Sequence, residues 1–100
     1  VVCALTVRKL RPGSFEEFRE AFMQPVRTGR MPDGWRRFNM LRDAENPDQV
    51  ICLGLFDGTV EELRANAALV GYEEQQAAIA AHVESVGVDG VFEVIEDLAP

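Results

Sequence analysis

The chain opens on a run, Val1–Leu10, dominated by apolar and β-branched side chains, with Thr6 and Arg8 on one alternating face. That pattern predicts a strand, ended by Pro12-Gly13. Ser14 followed three residues later by Glu17 has capping-box spacing and predicts a helix start. Phe15, Phe18 and Phe22 then give that helix one apolar stripe for packing on a sheet, and Pro25 is expected to close it. Residues 25–34 read as a loop from their Pro and Gly content. Trp35–Arg42 alternates as a second strand, with Phe38 and Met40 on one face and Trp35, Arg37, Asn39 and Leu41 on the other. A turn at Glu45-Asn46-Pro47-Asp48 leads to a third strand, Val50–Phe56. This strand is apolar on both faces, and Gly54 in it marks a bulge or a close approach.

Thr59 and Glu62 repeat the capping-box spacing, and Val60, Leu63 and Ala67 share a helical face. Gly71 interrupts that pattern, so the helix is expected to end or bend there. A second helical piece is predicted from Tyr72 to Val86, with Ile79, Val83 and Val86 on one side. Gly87 and Gly90 mark its exit, and Val91–Leu98 reads as the last strand, with Phe92 and Val94 on one face and Glu93, Ile95 and Asp97 on the other. The order β-α-β-β-α-β with right-handed crossovers predicts an α+β class fold. It is a ferredoxin-like βαββαβ sandwich whose antiparallel four-stranded sheet carries its helices on one face. The other face is expected to offer Trp35, Leu41, Cys52, Phe56 and Ile95. A face that apolar calls for a partner, and a second copy of the chain, a homodimer through the sheet face, is the expected one.

A length of 100 residues fits one domain, 1–100. No stretch approaches the roughly 18 apolar residues of a membrane helix. Val1–Val7 lacks a basic leader and a cleavage site, so the expected location is the cytoplasm. Cys3 and Cys52 are too few for a disulfide scaffold and sit in apolar runs, which suits a reducing compartment. They are expected to stay unbridged, because both lie near the starts of neighbouring antiparallel strands and so toward opposite ends of the pair. No CxxC and no Cys/His cluster is present, so no metal site is expected. The net charge of −7 argues against nucleic acid as a partner. The charge is uneven: residues 1–42 carry nine Arg and Lys against four acids, and residues 43–100 carry one Arg against thirteen. A basic patch for an anionic ligand, complementary edges meeting across a two-fold axis, and plain differences between loops and helix surfaces all fit that asymmetry.

The opening strand VVCALTVRKL with its PGSFEEFREAF helix, the step VICLGLFDGTVEELRANAA and the closing VFEVIEDL together resemble the dimeric α+β barrel proteins. That group includes the antibiotic-biosynthesis monooxygenase-like domains, and the resemblance covers nearly the whole chain. It implies two sheets facing each other across a dimer, with a pocket in each subunit between sheet and helices. It also implies a range of activities, among them cofactor-free oxidation of aromatic polyketides and haem degradation. Haem-degrading members look similar in having a late helical His, in a place comparable to His82. They also carry an Asn in the first strand, which VVCALTV lacks, and Phe56 stands where Trp is frequent. Haem degradation is therefore not expected, and neither is any other cofactor.

Few residues offer chemistry. His82, the only histidine, is expected at the border of an apolar helix face, as a general base or pocket donor or simply as a helix-edge side chain. Tyr72, the only tyrosine, sits beside the break at Gly71, where a phenol can hydrogen-bond a substrate oxygen. If a ligand site exists, these two residues place it between the sheet and the second helix. Trp35, Arg37 and Asn39 are expected on one face, either holding a planar ligand together with Phe56 or forming the dimer seam. In the first case Asn39 would polarise a carbonyl as an enolate develops. Arg27, Arg30, Arg36 and Arg37 in and near the loop would steer an anionic substrate, or lie solvated. The spacing of Gly54, Gly58 and Gly71 does not make a phosphate-binding loop. The resemblance, taken with these residues, implies binding of a small hydrophobic or aromatic ligand, with cofactor-independent oxidation of an aromatic or polyketide-type substrate as the reaction. The other reading is a non-catalytic binding or interaction module of the same fold.

Overall fold

In a computed structural model that describes residues 1–27, 33–69 and 71–99, the strands are β1 (Val2–Leu10), β2 (Trp35–Arg42), β3 (Gln49–Phe56) and β4 (Val83–Glu93). The helices are α1 (Phe15–Arg27), α2 (Val60–Leu69) and α3 (Tyr72–Ala80). The four strands form one antiparallel sheet in the order β2-β3-β1-β4, so the fold is α+β and ferredoxin-like. α1 runs through Pro25 to Arg27 rather than stopping at the proline. The reciprocal box at α2 forms: Thr59 N donates to Glu62 Oε1 at 3.2 Å and Glu62 N donates to Thr59 Oγ1 at 3.1 Å, satisfying two of the end donors a helix leaves free.

Strand alternation sorts the sheet into two faces. Val2, Val50, Phe56 and Leu10 are buried against the helices. One cluster joins Leu10, Val50 and Cys52 to Phe18 of α1 and Ile79 of α3; a second joins Val2 and Phe56 to Leu63 of α2. Each fully buried side chain of this size contributes about 1.5–3 kcal/mol. The opposite face carries Leu5, Val7, Ile51, Leu53 and Leu55, all only partly buried, together with exposed Leu41, Val88 and Phe92.

Two segments differ from the sequence reading, and each contains a bulge. In β2 the register slips between Trp35 and Arg37. The extra residue, Arg36, is fixed by its Nε donating to Asp57 Oδ2 at 2.7 Å, and Asp57 N donates to Gly34 O at 2.8 Å. A bulge shifts the alternation by one, so Trp35 joins Phe38 instead of Arg37 and Asn39. Second, α3 ends at Ala80 and β4 begins at Val83, well before Val91. The spacing of Ile79, Val83 and Val86 imitates a helix, but the register of β4 against β1 slips at Gly87 and again near Glu84. Gly87 and Gly90 therefore lie inside the strand, and Ile95 lies beyond it, 80% exposed. Of the residues expected on the open face, Leu41 is there. Trp35, Cys52 and Phe56 face the helices, because β3 positions 50, 52, 54 and 56 are the buried set.

Both cysteines are free. Cys3 pairs across to Leu55 and Cys52 to Thr6, which leaves the two thiols three positions apart along the strands and on opposite faces. No helix among the described residues is long and apolar enough to cross a membrane.

Candidate functional site

Between the sheet and the helices lies a half-open cavity of about 400 Å³. Members of both core clusters border it, Phe22 and Cys52 from one and Ala4, Trp35, Leu63 and Val91 from the other. Small side chains at Ala4 and Ala67 and none at Gly54 leave the space open. The aromatic wall is Trp35, whose ring stacks on Phe38 with centroids 4.6 Å apart and is braced edge-on by buried Phe56 at 5.1 Å. Phe22 stands on the α1 side.

The polar part of the cavity centres on Arg8. This arginine is 4% exposed and lies on the helix-facing parity of β1 with Thr6. Its Nη1 donates to Thr6 Oγ1 at 2.6 Å and its Nη2 donates to Gln76 Oε1 at 3.2 Å. The guanidinium carbon sits 5.8 Å from the Phe18 ring centre and 5.7 Å from that of Phe22, within cation–π range. Arg8 has no ion-pair partner among the described residues. Cys52 lies on the floor beside Arg8. Burial pushes its thiol up to about 11, against the opposing pull of the Arg8 charge and of hydrogen bonds from Arg8 and Thr6. Gln75, next on α3, is anchored by Nε2 donating to Phe22 O at 2.6 Å. Asp89 of β4 pairs with Thr6 in register and reaches the cavity at its exposed rim.

Tyr72 lines the cavity where the sequence places it, in the first turn of α3 after Gly71, which adopts a left-handed φ of 76°. Burial first, and the charge of Asp89 second, raise its phenol above the ordinary value, with Arg8 opposing. The hydroxyl is therefore a hydrogen-bond donor at neutral pH. The other expected residues separate. Trp35 is on the wall and Phe56 behind it. Arg37 and Asn39 are on the opposite face of the sheet, carried there by the bulge at Arg36. His82 is in the turn between α3 and β4 rather than on a helix. Its backbone N donates to Ile79 O and its backbone O accepts from Arg11 N, and it does not border the cavity. Of the basic loop residues, Arg30 lies outside the described residues, Arg27 pairs with Glu20 and Arg36 with Asp57.

Sequence reading missed Arg8, Gln75, Gln76 and Asp89 as cavity groups. One signal was available for Arg8: Val2, Ala4, Thr6, Arg8 and Leu10 share a parity, and apolar residues at both ends of that row mark it as the buried side.

No protein-family model matches the chain, and no curated protein sequence matches it. Solved structures do. SnoaB, a cofactor-independent oxygenase from Streptomyces nogalater, superposes with a TM-score of 0.80 at 19% identity, covering 99% of this chain and 97% of that one. A provisionally assigned antibiotic biosynthesis monooxygenase from Deinococcus radiodurans gives 0.81 at 15% identity, covering 100% and 98%. Another, from Nitrosomonas europaea, gives 0.79 at 15% identity, covering 96% and 100%. The chain therefore shares the α+β fold of these antibiotic biosynthesis monooxygenase and oxygenase structures.

Proposed function

We propose that the chain binds a small planar aromatic molecule in the cavity beneath α2 and α3 and oxidises it with O₂ without a cofactor. The observation that carries this reading is the pairing of a stacked aromatic wall, Trp35 on Phe38, with a short row of polar groups in one half-open cavity. That is the usual form of a small-molecule site. The structural likeness to SnoaB, itself a cofactor-independent oxygenase, supports the choice of reaction.

The chemistry suits a ring methylene flanked by phenolic or carbonyl groups. Asp89 takes a proton from that carbon, and the protonated Tyr72 hydroxyl donates to the ring oxygen on which negative charge develops. The resulting carbanion gives one electron to O₂, the radical pair joins as a peroxide, and loss of water leaves a carbonyl. The methylene and O₂ thus become a carbonyl and one water. The aromatic wall holds the ring and excludes solvent.

The working unit is a homodimer in which the open sheet face, with Leu41, Leu53, Ile51 and Phe92, packs on a second copy. Arg37 and Asn39 then belong to the seam rather than to the ligand. Two free thiols fit a reducing compartment, the cytoplasm.

The reading is tested by oxygen uptake with dihydroxyanthrone, corrected for spontaneous oxidation. Uptake should yield a product with one oxygen gained and two hydrogens lost, and Asp89→Asn should slow it by at least ~100-fold. Uptake no faster than background overturns the reaction. One feature favours a second reading, a non-catalytic binding module: His82, the only imidazole of the sequence, lies away from the cavity. In that case the anthrone binds but is not consumed.

A further inference from the structure

We infer that the ligand of this cavity carries an anionic oxygen of its own, a carboxylate or an equivalent oxyanion beside the aromatic ring, and that Arg8 and Gln76 are the groups that hold it. This rests on the cavity being the binding site, and it adds the class of molecule that enters.

The starting point is a charge without a counter-charge. A guanidinium is always protonated and carries only donors. Taking such an ion out of water costs several kcal/mol unless an opposite charge or enough acceptors replace its hydration. Arg8 is 4% exposed. It meets two neutral oxygens, Thr6 Oγ1 and Gln76 Oε1, the neutral Cys52 thiol, two aromatic faces, and no carboxylate at ion-pair distance among the described residues. Five N–H donors against two oxygens and a weakly accepting sulfur leave the fork unfilled.

The second observation is independent of charge. Gln76 Nε2 is buried and has no hydrogen-bond partner. Its orientation is not free to reverse: Arg8 has only donors, so the oxygen of Gln76 must face the guanidinium and the NH₂ must point away from it. A buried donor without an acceptor forfeits its hydration with nothing in return. Both Arg8 and Gln76 border the cavity. Two unfilled donor sets, one of them cationic, therefore border the same volume, and the ligand feature that fits both is an anionic acceptor. Bidentate seating of a carboxylate on a guanidinium is the strong form of that contact. The other charges on the cavity are Asp89 and Arg64. Both are exposed, of opposite sign, and thus well screened beside a buried guanidinium.

The test compares 2-naphthoate with its neutral isostere 2-naphthamide by titration calorimetry at fixed ionic strength. The carboxylate should bind the parent ~10-fold or more tightly than the amide. Gln76→Glu is the decisive variant, because it is nearly isosteric, places a carboxylate against Arg8 and removes the unpaired amide donor. It should raise the melting temperature and abolish the preference for naphthoate over naphthamide. Equal binding of naphthoate and naphthamide by the parent, or undiminished naphthoate binding by Gln76→Glu, overturns the anion site while the aromatic cavity stands. Binding of neither probe overturns both.

Discussion

Gly54 of β3 lies directly beneath the Trp35 ring of β2: a Cβ at Gly54 would come within 2.7 Å of Trp35 Cζ3 and 2.9 Å of Phe38 Cε1. The glycine is needed for close approach, since the aromatic wall of the cavity rests on bare backbone. Trp35 cannot swing aside, because Phe38 stacks on it and Phe56 braces its edge. Gly54→Ala should destabilise the fold by about 1–3 kcal/mol through overpacking. It should also shift the emission of Trp35, the only tryptophan. Urea unfolding followed by that emission measures both effects. An unchanged midpoint and spectrum would mean that the wall is not seated on residue 54.

The buried thiol of Cys52 makes a pH prediction. Its folded value of about 11 lies above the ordinary thiol value of 9.0, so the unfolded chain loses the proton first as pH rises. The stabilisation is complete below about pH 9 and is lost between there and about pH 11, by roughly 2–3 kcal/mol in total. Cys52→Ala should lose less stability across that window than the parent. Tyr72, raised in the same direction, remains in both chains, so the difference between them isolates the thiol. Parallel curves would contradict the burial of Cys52 in its un-ionised form.

Thr59 and Glu62 close the start of α2 with two reciprocal hydrogen bonds. Thr59→Ala should lower stability by about 0.5–2 kcal/mol, read as a drop in thermal midpoint. Because α2 forms one side of the cavity through Leu63 and Ala67, the same variant should also weaken binding of an aromatic probe. A stability loss with binding untouched would mean that the position of α2 does not depend on its cap.

Much of the fold was legible in the sequence because its elements carry redundant signals. The Phe15, Phe18 and Phe22 stripe follows the Ser14–Glu17 spacing, the Thr59–Glu62 box precedes the Val60, Leu63 and Ala67 face, and the apolar run Val50–Phe56 follows a turn at Glu45–Asp48. Most of what was not legible traces to bulges in two strands, which leave no mark in a binary pattern. Arg36 in β2 moves Trp35 onto the cavity face and leaves Arg37 and Asn39 behind. The slips in β4 near Glu84 and Gly87 spread its valines to helical spacing, so His82 read as helical when it sits in a turn. Tyr72 was placed well because Gly71 marks the break in its own conformation. Arg8 was overlooked because a charged residue is almost never buried without an opposite charge, and this one has none at ion-pair distance among the described residues.

The open sheet face carries the dimer proposal. Leu41 is 45% exposed there, and Leu41→Asp should leave the single chain folded while opposing association of two apolar faces. Light scattering of the parent should give twice 11.1 kDa, and the variant should shift toward the single mass. A parent that runs as one chain at micromolar concentration would remove the dimer from the account.

The central claim is that the cavity beneath α2 and α3, not the open face of the sheet, receives the ligand. Amide chemical-shift mapping during titration with 2-naphthoate tests this most directly, because the two faces carry different residues of the same strands. The account predicts saturable shifts gathered at Ala4, Thr6, Leu63, Gln75, Gln76 and Asp89, with Arg37, Asn39 and Leu41 unmoved. Shifts gathered at Arg37, Asn39 and Leu41, with the cavity residues still, would contradict it.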